Sequence, residues 1–166
     1  MKDTKDRLLL LVTSGFGLGL LPGASGTYGA LVGLAWHLAA RAAGFGDNGV
    51  RLWCLAGIAV TMALHYALTP WAQRYWGDSD PHHYILDEIP GYLMVPVLSI
   101  PAPDIRFVLL GFAIERICDI IKLPVARYFD RKVHTPTGVV MDDIIAGIYA
   151  AAILSLVIRY RGLLGL

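Results

Sequence analysis

The chain has 166 residues, 56% hydrophobic and 16% charged, with a formal net charge of +1 and a mean hydropathy of +0.58. That length suits one domain, residues 1–166, and the oily composition lies on the membrane side of ordinary globular usage. A near-neutral balance without a basic, aromatic-rich patch excludes nucleic acid as a partner.

Lys2, Lys5 and Arg7 precede an apolar run, Leu8–Leu21, that carries Gly15, Gly17 and Gly19 and meets Pro22 without a small-residue cleavage signal. It reads as mature protein, a short helix breaking into a glycine-rich turn before it could span a bilayer. Tyr28–Ala43 is expected to be a helix whose Gly29, Ala30 and Gly33 allow close contacts, with His37 and Arg41 unsuited to lipid. Gly44–Gly49 is a loop. Leu52–Thr69 is the best single span: only His65 is strongly polar, and Trp53 and Trp71 suit the two interfaces. The polar stretch Gln73–His83 returns to water. Ile85–Ile100 is a short helix kinked by Pro90 and Pro96, and Asp104 can cap a helix over Ile105–Leu123. A polar loop, Arg127–Gly138, leads to a last helix, Val139–Ile158, closed by Arg159 and Arg161. With no strand pattern, the fold class is all-α: a compact, membrane-associated bundle of about six helices, some only partly spanning. Cys54 and Cys118 sit in apolar stretches without CxxC spacing, as buried thiols and not a disulfide or zinc site.

Five acids stand beside or inside these apolar stretches: Asp87, Glu88, Asp119, Asp142 and Asp143. An ionised carboxylate there costs roughly 2.5–3.5 kcal/mol even on a lenient insertion scale unless a cation or polar cavity compensates. Three separated clusters at that cost suggest one shared site, with a divalent metal acting on an anionic substrate. Arg116, Asp119 and Lys122 recur at i+3 steps along one helix stripe. An acid between two bases suits a metal ligand flanked by phosphate-binding cations, and equally suits a structural ion-pair ladder. In each adjacent pair one acid can ligate while the other orients a water or a base, and Asp142-Asp143 can instead charge a helix start.

Known signatures mostly fail. The segment Gly15–Gly29 matches neither the Rossmann spacing nor a P-loop, although glycines ahead of a helix starting near Thr27 can offer N–H groups to an anion or permit close packing. Asp78-Ser79-Asp80 has the acid spacing of an aspartyl-phosphate motif, but His82 stands where Thr or Val belongs. No cysteine has an arginine six residues on, and no serine–histidine setting appears.

Taken in order, several blocks resemble the phosphatidylglycerophosphatase A family. They are Gly15-Phe16-Gly17, Ser25-Gly26-Thr27-Tyr28-Gly29, Asp80-Pro81, Asp87-Glu88-Ile89-Pro90-Gly91, Arg116 to Lys122, Phe129-Asp130-Arg131 and Met141-Asp142-Asp143-Ile144-Ile145-Ala146-Gly147. The chain departs from that pattern at Glu115, where an apolar residue is usual. The resemblance implies a Mg2+-dependent phosphatase that converts phosphatidylglycerophosphate to phosphatidylglycerol and phosphate. It further implies a multi-pass protein of the bacterial inner membrane whose partners are the bilayer and its phospholipid substrate, with room for a homo-oligomer. Asp87, Glu88, Asp119, Asp142 and Asp143 would bind the metal. Asp87, Asp119, Asp143, Arg116 and Lys122 would carry catalysis, and Thr27, Arg116 and Lys122 would meet the substrate phosphate. The basic N-terminal residues favour a cytoplasmic start, with the site at that interface. Two other functions fit the residues: a phosphatase for another lipid or polyprenyl phosphate, and a small membrane ion-transport or metal-binding protein.

Overall fold

A computed structural model describes residues 4–163, so Lys2 lies outside the described residues. Among them are seven α-helices, one 3-10 turn and no strand. The helices are α1 (Thr4–Thr13), α2 (Ser25–Ala42), α3 (Asp47–Trp76), α4 (Glu88–Leu98), α5 (Ile105–Ile121), α6 (Pro124–Lys132) and α7 (Pro136–Tyr160); the 3-10 turn covers Leu18–Leu20.

Helices α2 and α4 start three residues from their expected positions, at Ser25 and Glu88, and three larger or more consequential differences concern α3, α6 and α7. Asp47 belongs to the first turn of α3, where an acid favours the helix dipole, and the helix runs through the polar Gln73–Trp76 to stop at Gly77 (φ 71°). The segment read as a polar loop holds α6, opened by Pro124 at its first turn, with Ala126 as its buried residue. Val125, Tyr128 and Phe129 share one face at i, i+3 and i+4, but four charged residues in so short a segment read as a loop. Finally, α7 starts at Pro136, where the Thr135 side chain accepts from the Gly138 N–H. Asp142 and Asp143 therefore sit about two turns inside the helix and do not charge its start.

Helix α4 is the hub, packed against α2, α3 and α7. Its approach to α7 depends on missing side chains: a Cβ on Gly91 would lie 2.8 Å from Asp143 Cβ and 3.0 Å from the Asp143 carbonyl oxygen. On the other side, a Cβ on Gly29 would lie 2.6 Å from Glu88 Cβ, and one on Gly33 3.1 Å from the Ile89 carbonyl oxygen. The small-residue face expected of α2 is thus the face that meets α4. Gly91→Ala is expected to force α4 off α7 and to cost about 1–3 kcal/mol, the scale of overpacking. A lowered melting temperature with reduced activity would be the measured result, whereas an unchanged melting temperature would count against the close crossing.

Several enclosed polar side chains away from the acids find partners inside the bundle. His37 Nδ1 lies 3.0 Å from the Tyr92 hydroxyl, and Arg41 donates to the Ala102 carbonyl. His65 Nε2 lies 2.6 Å from the Pro136 carbonyl, while its Nδ1 lies 3.1 Å from the Tyr84 hydroxyl, itself 2.9 Å from Thr69 Oγ1. This last network ties the chain just before Asp87 to α3 and to the start of α7. Among the described residues two helices, α3 and α7, are long and apolar enough to cross a membrane, and α7 is the more enclosed of the two.

Candidate active site

Three helices, α4, α5 and α7, deliver the five acids to one end of the bundle. Asp87 caps α4, its side chain accepting from the Glu88 N–H at 3.1 Å, and Glu88 opens that helix. Asp119 lies in the last turn of α5 and Asp143 in α7, pressed against α4 by the Gly91 crossing. Glu88, Asp119 and Asp143 each present a carboxylate oxygen within 4.8 Å of the others. Asp87 and Asp142 stand beside this triangle, and Asp142 pairs with Lys122.

Two cations are woven in. Arg116 donates from Nε to Glu115 at 2.7 Å and from one terminal nitrogen to Glu88 at 2.8 Å; its other terminal nitrogen lies 3.5 Å from Asp119. Glu115 is fully buried and also pairs with that guanidinium. Lys122 Nζ lies 3.0 Å from Asp119 and 3.8 Å from Asp130. To get there, Lys122 takes a left-handed conformation at the end of α5, φ 52°. A lysine tolerates that region poorly, so the backbone is strained at the residue that delivers the charge.

Burial sets the electrostatics. It raises the Glu88 carboxyl to about 7; Arg116 opposes the rise, while Asp119 and Glu115 add to it. Asp87 is raised as well, first by burial and then by Glu88, Asp80 and Asp142. Asp119 also suffers burial, but Lys122 and Arg116 outweigh it and hold the group below the usual carboxylate range. Two cations thus face six enclosed carboxylates, those of Asp87, Glu88, Glu115, Asp119, Asp142 and Asp143.

Those residues fit a divalent cation. Oδ1 of Asp142 and Oδ1 of Asp119 are buried without a hydrogen bond. Asp119 Oδ1 is close to Lys122 Nζ but lacks hydrogen-bond geometry, so proximity alone supplies charge there and no donor. Buried carboxylate oxygens normally find a partner. An all-oxygen donor set with excess negative charge suits a hard ion of the magnesium, calcium or manganese type.

Thr27 makes no hydrogen bond to this cluster among the described residues, and it is the neighbouring Gly26 that borders it. A Cβ there would overlap Glu88 Oε1 and come within 3.4 Å of an Arg116 terminal nitrogen. Sequence reasoning named Glu115, Asp80 and Asp130 but gave none of them a place in the site. Asp80 and Asp130 line one small cavity with Asp142. The signal available for both was their place in the family blocks, and for Glu115 its departure from an apolar position.

Fold and site together define a helical protein with two segments capable of crossing a membrane and a carboxylate centre suited to a divalent cation and an anionic group. The family model for phosphatidylglycerophosphatase A matches residues 11–158, and the chain belongs to that family, a family of phosphatases. The chain is 32% identical to the phosphatidylglycerophosphatase A of Escherichia coli K12 over 147 residues, 87% of this chain and 80% of the relative. It is 32% identical to that of Haemophilus influenzae Rd over 150 residues, 86% of this chain and 84% of the relative. A Bacteroides thetaiotaomicron protein named "Putative phosphatidylinositol-3-phosphatase" is 34% identical over 148 residues, 86% of this chain and 89% of the relative. No solved structure matches the chain.

Proposed function

We propose that the chain, as one domain, hydrolyses the phosphate monoester of phosphatidylglycerophosphate, with Mg2+ as its cation, at the cytoplasmic face of a bacterial inner membrane. The observation that carries this reading is the triangle of Glu88, Asp119 and Asp143 with Arg116 and Lys122 on its flank. Glu88, Asp119 and Asp143 hold the ion, with Asp87 and Asp142 beside them to orient a water and Lys122. Bound Mg2+ supplies neutralisation of the phosphate and a more acidic water.

The chain's own groups then place the phosphate. Arg116 is fixed through Nε and one terminal nitrogen by Glu115 and Glu88, which leaves its second terminal nitrogen to reach a phosphate oxygen. Beside it the missing side chain of Gly26 leaves space, and the first turn of α2, Ser25 to Thr27, adds N–H groups of the positive helix end. Lys122 stabilises the charge that develops on the transferred group. A lipid headgroup can enter from the membrane surface while its tails stay in the bilayer.

Purified protein in detergent is expected to release phosphate from phosphatidylglycerophosphate with Mg2+, to stop with EDTA and to recover when Mg2+ is restored. Turnover insensitive to EDTA would sink the metal assignment. A second reading, hydrolysis of another lipid phosphate, is favoured by the name of the Bacteroides relative, since none of the site contacts above reads beyond the phosphate. A panel with phosphatidylinositol 3-phosphate, phosphatidic acid and a polyprenyl phosphate separates the two by kcat/KM. Ion transport is disfavoured by membership of a phosphatase family.

A further inference from the structure

An apolar groove of about 730 Å3 opens between the Gly15–Leu18 turn, α2, α3 and α4. We infer that it holds one acyl chain of the lipid phosphate, an assignment that rests on the lipid phosphatase reading above. Its size falls within the roughly 300–1,000 Å3 usual for small-molecule sites.

Position argues for the substrate's own chain over any passing lipid. Two of the groove residues, Leu86 just before α4 and Ile89 in its first turn, bracket Asp87 and Glu88 in sequence, so one end of the groove lies at the depth of the carboxylates. From Ile89 its floor follows α4 toward the fully buried Leu93, roughly 6 Å at the helical rise. A lipid with its phosphate beside Glu88 would therefore lay a tail along this wall. Opposite stand Val60 and Leu64 of α3, and Phe16 closes the rim, 87% exposed in a turn whose residues 15–17 all have positive φ.

Chemistry argues for hydrocarbon. No charged side chain lines the groove. Its one hydroxyl, on Thr61, is turned back onto the Gly57 and Ile58 carbonyls at 2.8 and 3.1 Å. The Trp36 indole N–H is likewise committed, to the Trp53 carbonyl at 3.0 Å. With its donors used internally, the wall offers methyls and ring faces, which favour a methylene chain and reject a headgroup.

The test compares KM for dipalmitoyl and water-soluble dibutyryl phosphatidylglycerophosphate. Leu64→Trp and Val60→Trp fill the groove from positions exposed enough to accept the larger side chain, 37% and 54%. Each is expected to raise KM for the long-chain substrate about tenfold, the equivalent of displacing some two methylenes, and to spare the short-chain one. Leu52→Trp, on an exposed part of α3 outside the groove, is the control and should change neither. Equal effects on both substrates, or long-chain KM unaltered in both groove variants, would overturn the assignment. Failure of the unmodified protein to hydrolyse either substrate would count against the catalytic reading. In that event photocrosslinking with a diazirine-tailed phosphatidylglycerol decides the groove separately. Adducts at Val60 and Leu64 support it, and adducts no more frequent there than at Leu52 and Leu55 overturn it.

Discussion

Asp143→Asn is expected to lower phosphate release by at least about 10²-fold, the scale of removing one electrostatic element from a catalytic site, while the protein stays folded. Asparagine keeps the shape that packs against Gly91 and removes one negative charge from the triangle. Asp143 has no ion pair within 4.0 Å among the described residues, so in EDTA its loss relieves repulsion and the melting temperature should hold or rise. Asp119→Asn should lose activity to the same degree with the opposite effect on stability, because Lys122 and Arg116 hold that carboxylate charged. Circular dichroism and thermal unfolding in detergent, beside the phosphate assay, read both effects. Full activity in both variants would remove these acids from the site.

Arg116→Met should be the most destabilising single change at this end of the bundle, about 3–5 kcal/mol, because it strands buried acids without their partner. Glu115 has no exposed surface and takes its hydrogen bonds from that guanidinium, and Glu88 shares it. Pairing Arg116→Met with Glu115→Gln should recover much of the lost melting temperature and none of the activity. That outcome would separate what the arginine does for the fold from what it does for the phosphate. A single variant as stable as the parent protein would show that the arginine is not the counterion the geometry makes it.

The helical class and the main helices were legible because long apolar runs broken by Gly and Pro leave few alternatives. Helix α6 was not: its stripe of Val125, Tyr128 and Phe129 is a single turn long, and the charges of Arg127, Asp130, Arg131 and Lys132 around it read as a polar loop. The five acids were conspicuous against their apolar neighbours, but their arrangement was not. Which of them converge depends on the Gly91–Asp143 crossing, a contact between residues 52 positions apart in the sequence. Sequence spacing also left Arg116, Asp119 and Lys122 open as an ion-pair ladder, and the structure contains that ladder and the carboxylate triangle at once. Glu115 stood out in the sequence only as an acid at a usually apolar position; its complete burial against Arg116 is what gives it a role.

The left-handed turn at Lys122 carries a consequence for how this protein could be improved or worn down. Glycine would suit that backbone best, relieving about 1–2 kcal/mol of left-handed strain. The same replacement would delete the ammonium group that reaches Asp119 and Asp142. That loss outweighs the strain relieved, because Asp119 and Asp142 would be left buried without their cation; stability and turnover are therefore secured together by a lysine held where the backbone would prefer another residue.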